Sequence, residues 1–190
     1  YARKGEWDRA IEMYERSLQD LERVGDVHGM AQTWGNLGSV YARKGEWDRA
    51  IEMYERSLQD LERVGDVHGM AQTWGNLGSV YARKGEWDRA IEMYERSLET
   101  KERVGDVHGM AQTWGNLGIV YRRKGEWDRA IEMYERSLGV TERLGDWVTS
   151  ANQYTNLGIL YLQTDHLEQA KPLLARAYLI FAQVGAPNAE

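Results

Sequence analysis

The chain has 190 residues, with 24 Lys and Arg against 30 Asp and Glu, two prolines and no cysteine, yet eight Trp and eleven Tyr. A net charge of −6 excludes a nucleic-acid binder that relies on neutralising phosphates, and no stretch approaches the ~20 apolar residues a membrane-spanning helix needs. Without Cys there is no disulfide, thiol nucleophile or thiolate metal site, which fits a reducing, cytoplasmic compartment. No signal peptide is read, and the start at Tyr1 falls inside a motif, so the chain reads as a piece of a longer protein.

Self-similarity sets the architecture. YARKGEWDRAIEMYERSL starts at Tyr1, Tyr41 and Tyr81 and returns with one change at Tyr121, a period of 40 residues. Tyr1–Val40 and Tyr41–Val80 are identical, the third copy differs at positions such as Lys101 and Ile119, and the copy from Tyr161 keeps the pattern with almost none of the residues. Drift at one end is expected of a capping unit, which faces water where inner repeats face neighbours.

In chain order, Tyr1–Lys4 reads as the tail of one helix and Trp7 to about Val24 as the next, with Trp7, Ile11, Tyr14 and Leu18 on an apolar face that lacks most of its partner. Gly25-Asp26 then closes that helix and opens another: glycine suits the left-handed terminal position, and the Asp carboxylate accepts the free amides of the following turn. Met30, Trp34, Leu37 and Tyr41 form a helical stripe that ends at Lys44-Gly45. From Glu46-Trp47 a second helix carries Trp47, Ala50, Ile51, Tyr54, Leu58 and Leu61 on one face and an i,i+4 pair, Glu52 and Arg56, on the other. These two helices recur along the chain, the last starting near His166 with Leu173, Leu174, Tyr178 and Phe181. The loops are short, so consecutive helices lie antiparallel, and no strand is predicted.

These residues resemble the tetratricopeptide repeat. Its first-helix signature stands as Trp34-x-x-Leu37-Gly38-x-x-Tyr41 and again from Trp74 and Trp114, and its second-helix signature as Ala50-x-x-x-Tyr54, Ala90 with Tyr94, and Ala130 with Tyr134. The period departs from the usual 34, and Glu62 stands near the place of the common closing Pro. In its added residues the chain is similar to the longer-repeat members, kinesin light chain and the Pins-type adaptors. The resemblance implies an all-α, right-handed superhelical solenoid of antiparallel helix pairs spanning residues 1–190: a partial repeat 1–24, repeats 25–64, 65–104 and 105–144, and a capping repeat 145–190. It also implies a protein or peptide partner held along a concave face.

Several side chains are candidates for that face. Asn36, Asn76, Asn116 and Asn156 lie about 100° round the helix from the buried stripe, and the longer-repeat members use such asparagines as a ladder pairing with the backbone of an extended peptide. The alternative is a solvated surface Asn. Arg43, Arg83 and Arg123 follow seven residues later on a similar face, giving the groove a positive stripe suited to an acidic segment; the alternative is pairing with Glu46 or capping of the helix C-terminus. Gln32, Gln72 and Gln112 join the same surface, whereas Ser39 becomes Ile119 and Ile159 in later copies. Gly38 and its equivalents each cost about 1 kcal/mol relative to Ala in a helix, which close packing of the two helices of a repeat would offset. Gly35 reads either as a place for a ligand backbone to approach or as tolerated.

The Trp and Tyr residues fall on the apolar stripes and read mainly as core. His28, His68 and His108 are separated by whole repeats and His166 is single, so no metal or other cofactor is expected. No nucleophile elbow, phosphate loop or metalloprotease motif is present, so no enzymatic activity is expected. The expected function is a scaffold binding an extended, acidic peptide; the alternative is a self-assembling spacer whose groove has no ligand. The bare end helices predict homo-oligomers.

Overall fold

The computed structural model describes residues 2–185, with side chains from Glu6 to Val184; Tyr1 and residues 186–190 lie outside the described residues. Among the described residues there are nine α-helices and no strand: α1 (Ala2–Val24), α2 (Val27–Lys44), α3 (Trp47–Val64), α4 (Val67–Lys84), α5 (Trp87–Val104), α6 (Val107–Lys124), α7 (Trp127–Leu144), α8 (Trp147–Gln163) and α9 (Leu167–Gly185). They group into two compact units, 1–104 and 105–190, which divide at a repeat boundary read from the sequence.

The caps are those the local sequence dictates. Gly45 ends α2 at φ 80° and the Glu46 amide donates back to the Tyr41 carbonyl at 3.0 Å, so the chain reverses within two residues. Asp26 opens α2 by accepting the Gly29 amide at 2.9 Å, and Asp66, Asp106 and Asp146 do the same for α4, α6 and α8. A Cβ on Gly29 would stand 2.6 Å from the Asp26 carboxylate and 2.7 Å from Leu21, which accounts for a glycine there. The exception is the end of α8, where Asp165 takes the left-handed position at φ 66°.

In unit 1, α2 packs on α3 and α4 on α5 as antiparallel pairs, with α3 also against α4 and α1 against α2. The pairs share one interlock. The Tyr54 ring fills the notch at Gly38, where a Cβ would meet it at 2.8 Å, and the Ser57 hydroxyl donates to the Ala31 carbonyl at 2.8 Å. Tyr94 on Gly78 and Ser97 to Ala71 repeat this in α4–α5. The close packing expected at the helical glycines is therefore packing against one particular ring.

In unit 2, α6 pairs with α7 and α8 with α9, and α7 and α8 are in contact. Tyr134 occupies the Gly118 notch, whereas the notch at Gly158 holds Leu174.

Three details differ from the sequence reading. Helix α1 runs on through Gly5 instead of breaking there, because four residues are too few to hold a separate helix that could turn back on α1. Leu18 is buried, not bare, since it lies beside Met30, Trp34 and Leu37 of α2. The tyrosines from Tyr41 to Tyr154 are core, but Tyr14 and Tyr161 are half-buried and Tyr178 exposed; Trp34 and Trp47 are half-buried and Trp127 and Trp147 exposed, and arginines lie over two of these indoles: Arg56 over Trp34 at 4.9 Å and Arg83 over Trp47 at 5.8 Å.

Candidate peptide-binding groove

Within unit 2 the first helices α6 and α8 lie side by side and enclose an open cavity of about 350 Å³. Gln112, Asn116 and Ile119 line it from α6, and Asn152, Gln153 and Asn156 from α8. All are uncharged. The i, i+4, i+7 spacing of the first set puts one side chain per turn on a single face of α6. Three of the sequence candidates, Gln112, Asn116 and Asn156, thus meet in one cavity.

Their amides differ in freedom. Asn116 and Asn156 are half-buried and Gln112 exposed, while Gln153 is buried, with its Oε1 accepting from Asn156 at 3.5 Å. The Gln153 amide also covers Gly115, where a Cβ would lie 2.6 Å from its Nε2. In the other repeats a threonine holds this position. Thr73 of α4 bonds back to the Gly69 carbonyl at 2.8 Å, and the atom nearest a Cβ on Gly35 is then Ser57 Oγ at 3.5 Å.

In unit 1, α2 and α4 are also neighbours and present Gln32, Asn36, Gln72 and Asn76, of which Asn76 is half-buried and the rest exposed. Gln32 Nε2 lies 2.8 Å from His28 Nε2, and His28 Nδ1 lies 3.8 Å from the Asp66 carboxylate that caps α4. The same chain, Gln112 to His108 to Asp146, stands in unit 2 at 3.0 and 3.8 Å. Each of these two histidines stands between a groove amide and the capping carboxylate of the next first helix, a place their repeat spacing did not show; the signal was the i,i+4 spacing of His28 and Gln32. Asp146 titrates below the usual carboxylate range, mainly through its bond to Thr149.

Arg123 is not among the residues that line the cavity. Arg43, Arg83 and Arg123 are exposed. Glu46, the expected partner of Arg43, is taken by Lys44 at 3.0 Å and Arg49 at 2.9 Å, and the Lys44 bond is the main reason its carboxyl is held below the usual range. Arg43 and Arg83 instead lie near the buried phenols of Tyr54 and Tyr94, whose titration is raised by burial and moderated by bonds to Ser39 and Ser79 at 3.0 and 2.9 Å and by the arginine charge. Where Ile119 replaces that serine, the Tyr134 hydroxyl and Nε of the neighbouring Arg122 are buried with no partner in hydrogen-bond geometry, and burial, moderated by the Arg122 guanidinium, pushes the phenol up to about 12.

Among the described residues no three His, Asp or Glu side chains gather as a metal cluster, and no helix is long and apolar enough to cross a membrane.

The tetratricopeptide repeat family model matches residues 1–63, 29–103, 69–143 and 109–183. No curated protein sequence matches the chain. Among solved structures, BtubC from P. vanneervenii is similar over 100% of this chain and 79% of its own, at 25% identity and a TM-score of 0.88. A putative kinesin light chain from Podosopora anserina with nearly identical TPR-like repeats aligns over 98% of this chain and 92% of its own, at 15% identity and a TM-score of 0.78. A Rap protein complexed with competence and sporulation factor aligns over 95% of this chain and 51% of its own, at 14% identity and a TM-score of 0.79. The last two likenesses concern the fold.

Proposed function

The chain belongs to the tetratricopeptide repeat family, and from that premise we propose that it is a non-enzymatic scaffold, without cofactor, that holds an extended peptide along its first helices. The observation that carries this reading is the amide cluster of Gln112, Asn116 and Asn156 in one uncharged cavity. An extended strand offers alternating N–H and C=O groups, and side-chain amides, which donate and accept, match both whatever the peptide sequence. Asn36, Asn76, Gln32 and Gln72 offer the same chemistry in unit 1. Arg43, Arg83 and Arg123, seven residues beyond the asparagines, serve the acidic side chains of such a peptide, setting preference more than affinity. The repeats 25–64, 65–104 and 105–144 and the capping repeat 145–190, which supplies Asn156, present this surface, with 1–24 as a partial repeat, and the absence of Cys supports a cytoplasmic setting.

Replacing Asn116 and Asn156 together by Ala tests the reading. Stoichiometric capture from a library of extended acidic peptides should fall by about tenfold or more with helicity unchanged; undiminished capture removes the amides from the account. Arg123→Glu should weaken acidic peptides selectively, with a reduced salt dependence.

A second reading, self-association through the end helices, is favoured by the exposed apolar residues of α9, where Tyr178, Leu179 and Val184 are 73%, 59% and 51% exposed. Sedimentation as a 21.9 kDa species at every concentration would remove it.

A further inference from the structure

A glutamate near the end of the second helix is satisfied differently in the two units. In unit 2 it is Glu142 of α7, whose Oε1 accepts from the Tyr154 hydroxyl of α8 at 2.6 Å and from the Arg176 guanidinium of α9 at 3.3 Å. Arg176 also lies over the Tyr154 ring at 5.2 Å, so one carboxylate joins three helices. In unit 1 the same phase holds Glu22 and Glu62, with Trp34 and Trp74 in place of the tyrosine. Tryptophan has no phenol to offer, and Arg56 and Arg96 are held on their own helices by Glu52 and Glu92, each at 2.9 Å. In α9 that place is Pro172, so Arg176 has no such partner and reaches across. Among the described residues Glu22 and Glu62 are left without a hydrogen bond or ion pair, as are Glu15 and Glu55.

These carboxylates border a groove. Glu15, Gln19 and Glu22 of α1 form one bank of an open cavity of about 430 Å³, with Met30 and Trp34 of α2 in its floor and Met53 and Arg56 of α3 on the other bank. Met30, Trp34 and Met53 are half-buried, so the groove offers apolar surface between charged edges. The inner copy, on α3, α4 and α5, has the same exposure at each of these positions: Glu55, Gln59, Glu62 and Arg96 are exposed and Met70, Trp74 and Met93 half-buried. There α2 pairs with α3 and leaves the groove uncovered, so its openness belongs to the interior of the array. Burial and then the Glu55 charge raise the Tyr81 phenol, which sets that carboxylate beside the first helix of the inner copy.

We propose that these grooves of unit 1 dock a basic amphipathic helix of a separate protein, its arginines on the paired glutamates and its apolar side chains on the Met and Trp surface. Unit 2 shows the chemistry already made, a guanidinium on this glutamate and over the ring of the first helix. The spacing selects the partner. Glu15 and Glu22, like Glu55 and Glu62, stand seven residues apart on one helix, a rise of about 10.5 Å. A helix laid alongside meets both with cations seven residues apart and covers the apolar surface with the residues between. Because Glu52 neutralises Arg56, the lining is negative in balance and repels an acidic segment. The site shares no residue with the amide cavity and takes the opposite kind of partner.

The test adds to the full chain a labelled, alanine-based helical peptide with two arginines seven residues apart and two leucines midway between them, and reads anisotropy. Saturable binding is expected. The chain variant E22Q/E62Q/E102Q, which removes this glutamate from each of the similar repeats, should bind about tenfold or more weakly with helicity unchanged. D128N/D165N/E168Q removes as many exposed charges from α7, the α8–α9 turn and α9 and should bind as the native chain does. A charge-neutral pair of variants sharpens the point. W34Y/W74Y/W114Y supplies the phenol that occupies Glu142 in unit 2 and should bind about threefold or more weakly than W34F/W74F/W114F, which keeps a ring without it. No saturable binding, or an equal loss from the two charge variants, overturns the proposal. Equal binding by the Tyr and Phe variants overturns it as well, and if either of these loses helicity the two charge variants decide.

Discussion

The two units use the same helix pairs with different polar fittings. In unit 1 each tyrosine in its glycine notch ends on a serine, Tyr54 on Ser39 and Tyr94 on Ser79. In unit 2 Tyr134 keeps the notch and loses the serine to Ile119, the next notch holds Leu174, and Gln153 covers the glycine that unit 1 leaves open. Shape complementarity survives along the array while hydrogen-bond satisfaction changes. The ring in the notch is therefore the structural requirement, and the polar positions around it are where one unit becomes chemically unlike the other.

Substitutions at the notch should show the largest effect. Gly78→Ala sets a methyl 2.8 Å from a ring whose hydroxyl is tied to Ser79, an overpacking of about 2 kcal/mol. Gly158→Ala meets the rotatable Leu174 and should cost about half as much or less. Urea denaturation followed by circular dichroism checks this, and equal losses would break the comparison. Next come the phenols. Tyr94→Phe should cost about 1 kcal/mol for its lost hydrogen bond, whereas Tyr134→Phe removes a hydroxyl without one and should be neutral or stabilising.

The open and covered glycines divide the units again. Gly35→Ala places its Cβ in ordinary contact and should stabilise by about 0.5–1 kcal/mol through helix propensity. Gly115→Ala collides with Gln153 and should lose that gain unless Gln153→Thr accompanies it.

The smallest effect is alkaline. Tyr134 and Tyr154 are held neutral with folded values of about 12, by burial and, for Tyr154, by its bond to Glu142. Their folded pKa is raised, so their contribution is complete below the ordinary tyrosine range near pH ~10 and is lost as pH rises through about 12. Phenolate absorbance of folded and urea-unfolded chain should show these two tyrosines ionising last; titration together with the rest would remove the distinction.

Helix positions and caps were legible because they depend on neighbours in sequence: the left-handed Gly45, the Asp26 cap and the Glu52–Arg56 pair follow from local spacing. The amide cluster was legible in part, since one residue per repeat at one phase must share a face. Contacts between repeats were not. That Lys44 reaches Asp8 as well as Glu46, leaving Arg43 to the tyrosine, depends on which helix lies opposite. Gln153 was missed for the same reason: only the facing Gly115 gives its length a meaning.

The tight reversals between helices have a kinetic consequence. Since α2 and α4 are identical, either would fit α3 or α5 equally well, and the contact energies alone do not choose a register. The choice is made by tether length. Gly45 and Glu46 deliver α3 straight onto α2, whereas pairing α2 with α5 would first loop out two whole helices and pay the closure entropy of that longer loop. An array of interchangeable parts is thereby assembled in order, through local contacts that form fast.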